Sequence, residues 1–117
     1  MVRITTELDA DFTPKNKMDN QNEINVSLKI KNNSEDYYWY EFEIGVNDPL
    51  SLVYDQKLSK GKFRLGILNS TEEKTKEFKI YNLEKSQNPI YNFNITMYVY
   101  DKDGAISERL DRNFEDK

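Results

Sequence analysis

Apolar residues recur at every second position along most of this chain. Ile24, Val26, Leu28 and Ile30 alternate with Asn25, Ser27 and Lys29. Tyr38, Tyr40, Phe42, Ile44 and Val46 form the longest such run, and Tyr91, Phe93, Ile95, Met97 and Val99 form another. A period of two predicts strands with one buried and one solvated face. Shorter alternations predict strands at Leu50-Leu52 (reaching to Tyr54), at Phe63-Leu65-Ile67 and over 74–81. Val2 to Leu8 is the expected first strand and Ala105 to Asp111 the last.

Turn chemistry separates these runs. Asn32-Asn33-Ser34, Asn47-Asp48-Pro49, Ser59-Lys60-Gly61 and Asn69-Ser70-Thr71 end strands, and Asp101-Lys102-Asp103-Gly104 reads as a hairpin turn. Residues 9–22 read as a polar connection and 112–117 as a disordered tail. The one helical signal is Ser70-Thr-Glu-Glu, which has the form of a capping box. Lys74 to Ile80 nevertheless alternates as a strand. Seven to eight strands, each apolar on one face, predict an all-β fold: an immunoglobulin-like antiparallel β-sandwich spanning 1–117 as one domain.

Composition narrows the function classes. The 117 residues suit one hydrophobic core. With 17 Lys+Arg against 21 Asp+Glu, the net charge is −4 and no basic cluster is present to neutralise phosphates, so nucleic acid is not an expected partner. No apolar run approaches the roughly 20 residues of a membrane span, so no membrane insertion is expected. The N-terminus has no apolar signal-peptide core. His and Cys are both absent, which removes thiol nucleophiles, disulfides, zinc sites and the usual general base near neutral pH. No Gly-rich phosphate loop or nucleophile motif is present either. The expectation is a non-enzyme without cofactors or a metal.

Glu23-Ile-Asn-Val-Ser-Leu-Lys-Ile-Lys-Asn32 resembles the strand-then-Asn signature of CARDB-type (cell-adhesion-related) immunoglobulin-like domains. Phe63-Arg-Leu-Gly-Ile-Leu68, a polar turn and Lys76-Glu-Phe-Lys-Ile80 are similar to the segment that follows in those domains. Met97-Tyr-Val-Tyr-Asp-Lys-Asp-Gly104 is similar to their last hairpin. The resemblance spans 13–112. It lacks the Pro-Gly those modules often carry at the turn occupied here by Asn69-Ser70-Thr71. It implies a non-catalytic binding or spacer module of a prokaryotic cell-surface protein. The missing signal peptide points instead to a small cytoplasmic, adaptor-like interaction domain.

The candidate site is the stretch with four consecutive aromatics, 37–40. Parity assigns Tyr38, Tyr40, Phe42, Ile44 and Val46 to the core. Tyr37, Trp39, Glu41, Glu43 and Gly45 go outside, unlike antibody-type domains, which bury the Trp of this strand. A one-residue bulge near Tyr38 would exchange the faces. Pairing with the penultimate strand, core face to core face, sets Ile44 opposite Phe93, Phe42 opposite Ile95 and Tyr40 opposite Met97. The outer face then joins Trp39 to Tyr98 and Tyr37 to Tyr100. Glu41 falls opposite Thr96, with Arg109 within its reach. The expected binding set is therefore Tyr37, Trp39, Tyr98, Tyr100, Glu41 and Arg109. Its partner would be a protein, a neighbouring domain or a carbohydrate. The competing reading is that these rings pack as cross-strand pairs or lie under the 9–22 connection.

Other motifs read as structure. Asp101 and Asp103 lack the further ligands of a calcium loop. Glu41 and Glu43 read as a solvated strand face. Of the sequons at Asn25, Asn32, Asn69 and Asn94, those at Asn32 and Asn69 fall at turns and are expected to be accessible.

Overall fold

A computed structural model describes residues 6–14, 23–84 and 90–115. The described chain forms eight strands: β1 (Thr6–Pro14), β2 (Glu23–Asn32), β3 (Tyr38–Gly45), β4 (Leu50–Ser51), β5 (Lys60–Leu68), β6 (Glu73–Asn82), β7 (Asn92–Tyr100) and β8 (Ile106–Glu115). None of the described residues is helical, so no helix among them could cross a membrane. The strands make two antiparallel sheets, ordered β1-β2-β6-β4 and β5-β3-β7-β8. The fold is an immunoglobulin-like β-sandwich.

Period two works because one face of each long strand meets the other sheet. Val26, Leu28 and Ile30 of β2 oppose Tyr40 and Phe42 of β3 and Phe93, Ile95, Met97 and Val99 of β7 within one buried cluster. Phe93 is its aromatic hub. Its ring centroid lies 5.7 Å from Phe12, 5.2 Å from Phe78 and 5.4 Å from Phe114, so rings from both sheets converge on it. Offset and edge contacts at such distances add to the area term of burial.

Three expectations about the strands are corrected. The first strand runs to Pro14, so 9–14 is not a connection. Leu8, Ala10 and Phe12 pack against the core, and the interleaved Asp9 and Asp11 disguised them as a polar stretch. Residues 2–5 and 15–22 lie outside the described set. The last strand continues to Glu115, so 112–115 is not a tail, because Phe114 packs against Phe93. Leu50-Leu52-Tyr54 yields only the two-residue β4: past it Asp55 takes φ 58° and Tyr54 is 73% exposed.

The turns are tied by side chains. Asn32 is fully buried where β2 ends. Its Nδ2 donates to the carbonyls of Asp36 (2.8 Å), Leu68 (3.0 Å) and Asn69 (3.2 Å), and its Oδ1 accepts from the Ser34 amide (2.9 Å) and hydroxyl (2.6 Å). One amide thus joins the end of β2 in one sheet to the approach to β3 and the end of β5 in the other. This burial corrects the expected accessibility of Asn32; Asn69 is exposed. The capping-box letters close a β-turn instead of a helix. The Glu72 amide donates to the Asn69 carbonyl at 3.0 Å, and the Glu72 carboxylate accepts from the Asn69 amide at 2.8 Å.

Candidate functional site

The face assignment of β3 holds, and the bulge that would have inverted it is absent from β3 itself. Tyr40, Phe42, Ile44 and Val46 are buried and Tyr38 is partly so, whereas Tyr37 and Trp39 are 42% and 47% exposed. Strand β3 also pairs with β7 as expected, but two residues further along. Ile44 faces Ile95, Phe42 faces Met97 and Tyr40 faces Val99. The outer face follows the same shift: Trp39 faces Tyr100 and Glu41 faces Tyr98. Side-chain parity repeats every two residues, so it cannot separate registers that differ by two.

The shift rearranges the expected set. Tyr37 precedes β3 and faces no residue of β7. Arg109 lies opposite Tyr98 on β8, with its guanidinium carbon 5.6 Å from the ring centroid, and it pairs with Asp111 at 3.4 Å. It does not join Glu41, because Tyr98 stands between them. Glu41 pairs instead with Arg64 of β5 at 3.7 Å. Nor does the 9–22 segment cover this face over its described part, since 9–14 belongs to the opposite sheet.

Strand β5 supplies the residues that parity misses. Its register on β3 slips between Tyr40 and Glu41, so that Gly66 faces Tyr40, Arg64 faces Glu41 and Leu65 has no β3 partner. Gly66 takes φ 95°, which a residue with a Cβ rarely adopts. Beyond this bulge the alternation inverts. Ile67, read from the sequence in phase with Phe63, shares the outer row of Trp39, while Leu68 is buried. A glycine inside a strand pattern was the available signal.

Three rows then cross the outer face of this sheet, each in the order β5, β3, β7, β8. The first is Ile67, Trp39, Tyr100 and Ile106. It is apolar apart from the tyrosine hydroxyl and the indole N–H, and Ile106 is 60% exposed. The second is Arg64, Glu41, Tyr98 and Arg109, and the third is Lys62, Glu43, Thr96 and Asp111. Lys62 pairs with Glu43 at 3.7 Å, and the Thr96 hydroxyl donates to Asp111 at 2.7 Å. Glu41 and Glu43 therefore each hold a cation, as a solvated face would. Beside the first row an open groove of about 460 Å³ is lined by Trp39, Tyr100, Arg64, Gly66 and the hairpin tip 102–104.

Asp101 spends its carboxylate on the hairpin. Its Oδ1 accepts from the amides of Asp103 (2.9 Å) and Ala105 (3.0 Å), and Gly104 closes the turn with φ 82°. No group of three or more Asp or Glu among the described residues is arranged to hold a metal ion. Tyr40 and Tyr91 have phenol pKa values raised above 10, chiefly because burial disfavours the phenolate. Both belong to the core, and Tyr40 also lines the groove beside Gly66.

No family model matches the sequence, and no curated protein matches it. Among solved structures the chain is similar to a FixG-related protein from Vibrio parahaemolyticus, at 13% identity and a TM-score of 0.50, covering 98% of this chain and 99% of that one. That likeness speaks for the all-β fold. The CARDB-type resemblance rests on the residues quoted for it.

Proposed function

We propose that this chain is a non-catalytic binding module whose contact surface is the outer face of the β5-β3-β7-β8 sheet. One observation carries the reading. Trp39 and Ile106, at 47% and 60% exposure, stand in one row with Tyr100 and Ile67 beside an open groove. A solvated sheet face ordinarily carries polar residues, and clustered exposed aromatics are enriched at recognition surfaces. The charged rows next to them hold their ion pairs internally and form a polar rim. The absence of His and Cys from the whole chain supports the non-catalytic part of the reading.

The CARDB-type resemblance supports a module of a prokaryotic cell-surface protein. Asn32, which ends its signature strand, is here a buried junction between the sheets, a role that a domain of this architecture would retain whatever it bound.

The test sets the parental chain against Trp39→Ala/Tyr100→Ala on arrays of peptides and glycans, with the chain itself also displayed. The parental chain is expected to bind at least one class, and the double variant to lose that binding while keeping its thermal midpoint within a few degrees, as expected for less than about 1 kcal/mol. A variant that retains every interaction of the parent would refute the reading.

A further inference from the structure

We infer that the open side of β6 takes up an extended acidic peptide as an added strand, which seats one apolar side chain between Phe63 and Phe78. This edge is separate from the outer face of the β5-β3-β7-β8 sheet.

The pairing of β6 leaves the place. On one side β6 is paired with β2 from Glu73 to Tyr81. On the other, β4 covers only Tyr81 and Asn82, and 73–80 have no described strand beside them. After Ser51 the chain turns back on itself, with Val53 bridged to Gln56, and does not run on along β6. The other interior strands, β2, β3 and β7, are paired on both sides along most of their length. Along 73–78, every second residue therefore turns its amide and carbonyl toward an open side, which is what an extended backbone pairs with.

The short β4 also leaves the sandwich open at this edge. A slot of about 120 Å³ enters between the sheets, walled by Ile44, Leu52, Phe63 and Phe78. Phe63 and Phe78 pack against the core and yet are only partly buried. An added strand would cover them with one inward aliphatic side chain.

Charge selects the rest of the occupant. Lys74 and Lys76 share the inward face of β6 with Phe78 and Ile80. Lys74 reaches across the opening to donate to the Ile67 carbonyl at 3.1 Å, and the Lys76 ammonium lies 5.4 Å from the centre of the Phe63 ring. Neither forms an ion pair with a described residue. Of the nearby carboxylates, Glu43 holds Lys62 at the rim at 3.7 Å, and Glu77 lies on the opposite face of β6. Inward-pointing lysines at a free edge exclude an apolar strand, because it would bury their charges unpaired. They admit a strand whose facing residues are carboxylates. An ammonium carries three donors, so Lys74 can keep Ile67 and still bind one. A strand in line with β4 runs antiparallel to β6. It sets an apolar residue opposite Phe78 and acidic residues opposite Lys76 and Lys74, so its pattern is apolar-x-acid-x-acid.

Fluorescence polarisation of labelled Thr-Leu-Thr-Glu-Thr-Glu-Thr with the full chain tests this. The parental chain should bind it with a Kd of about 10–500 µM. Lys74→Glu/Lys76→Glu should weaken binding at least about tenfold with its circular dichroism intact, and should bind Thr-Leu-Thr-Lys-Thr-Lys-Thr to within about threefold of the parental pairing. N-methylation of one alternate set of peptide amides should abolish binding and of the other set leave it, because only one set faces β6. The methylated peptides are read on the parental chain, so this arm does not depend on the folding of a variant. Trp39→Ala/Tyr100→Ala should bind the peptide as the parent does. An absence of binding at about 1 mM overturns the inference. So does binding that survives Lys74→Glu/Lys76→Glu, an equal effect of the two methylated sets, or loss of the peptide in Trp39→Ala/Tyr100→Ala.

Discussion

Asn32 and Trp39 show how differently neighbouring residues contribute. Asn32 satisfies three carbonyls and two donors of Ser34 from a fully buried position. Asn32→Ala leaves those groups short of partners, and urea denaturation should show a loss of about 2–4 kcal/mol. Phe42 is likewise fully buried and stacks on Phe63 at 5.0 Å. Phe42→Ala should cost about 3–5 kcal/mol in the same assay, whereas Trp39→Ala should cost less than about 1 kcal/mol because the ring is half exposed. Similar losses at Phe42 and Trp39 would mean that the two faces are misassigned. Tyr40 links the sheets through its hydroxyl, 3.3 Å from that of Thr6. Its pKa is raised by burial, and also by the charges of Glu108 and Tyr38, against the lowering effect of the Thr6 hydrogen bond. In the unfolded chain the phenol ionises at its ordinary value of 10. Its contribution is therefore fully present below pH 10 and lost as pH rises through and beyond it. Stability measured across the alkaline range should fall less steeply for Tyr40→Phe than for the parent.

Elements were legible in the sequence where they alternate, and obscured where something other than alternation decides. The faces of β2, β3 and β7 could be read directly, because each strand has a continuous apolar file against the opposite sheet. The β3–β7 register could not, since parity permits slips of two. The bulge of β5 needed the backbone of Gly66. The end of β8 was hidden because Arg112, Asn113 and Glu115 surround the single ring that holds it, Phe114. Ending the chain after Asp111 removes that ring from Phe93 and removes the four β7 pairings from Asn92↔Glu115 to Ile95↔Arg112. The truncated chain should unfold at least about 2 kcal/mol more easily, read from its denaturant midpoint. An unchanged midpoint would mean that 112–115 is dispensable, as a tail would be.

At the scale of the molecule, the sandwich places its two sheets in different circumstances. The β1-β2-β6-β4 sheet turns outward a face of alternating charge, with Lys29 and Glu73, and Lys79 and Glu23, paired across strands. The β5-β3-β7-β8 sheet turns outward an apolar row. Much of the candidate site could therefore be found from the sequence, since Trp39, Tyr98 and Tyr100 do share that outer face. What could not be found was its composition by rows, because Ile67 and Ile106 reach the first row only through irregularities, the β5 bulge and the register shift between Val99 and Tyr100. The central claim is that this outer face is where the chain makes contact. Amide NMR of the chain titrated with the peptide or glycan that its array selects tests it most directly. Ligand-dependent shifts should gather on Trp39, Ile67, Tyr98, Tyr100 and Ile106; shifts that gather instead on Lys29, Glu73 and Lys79 would contradict it.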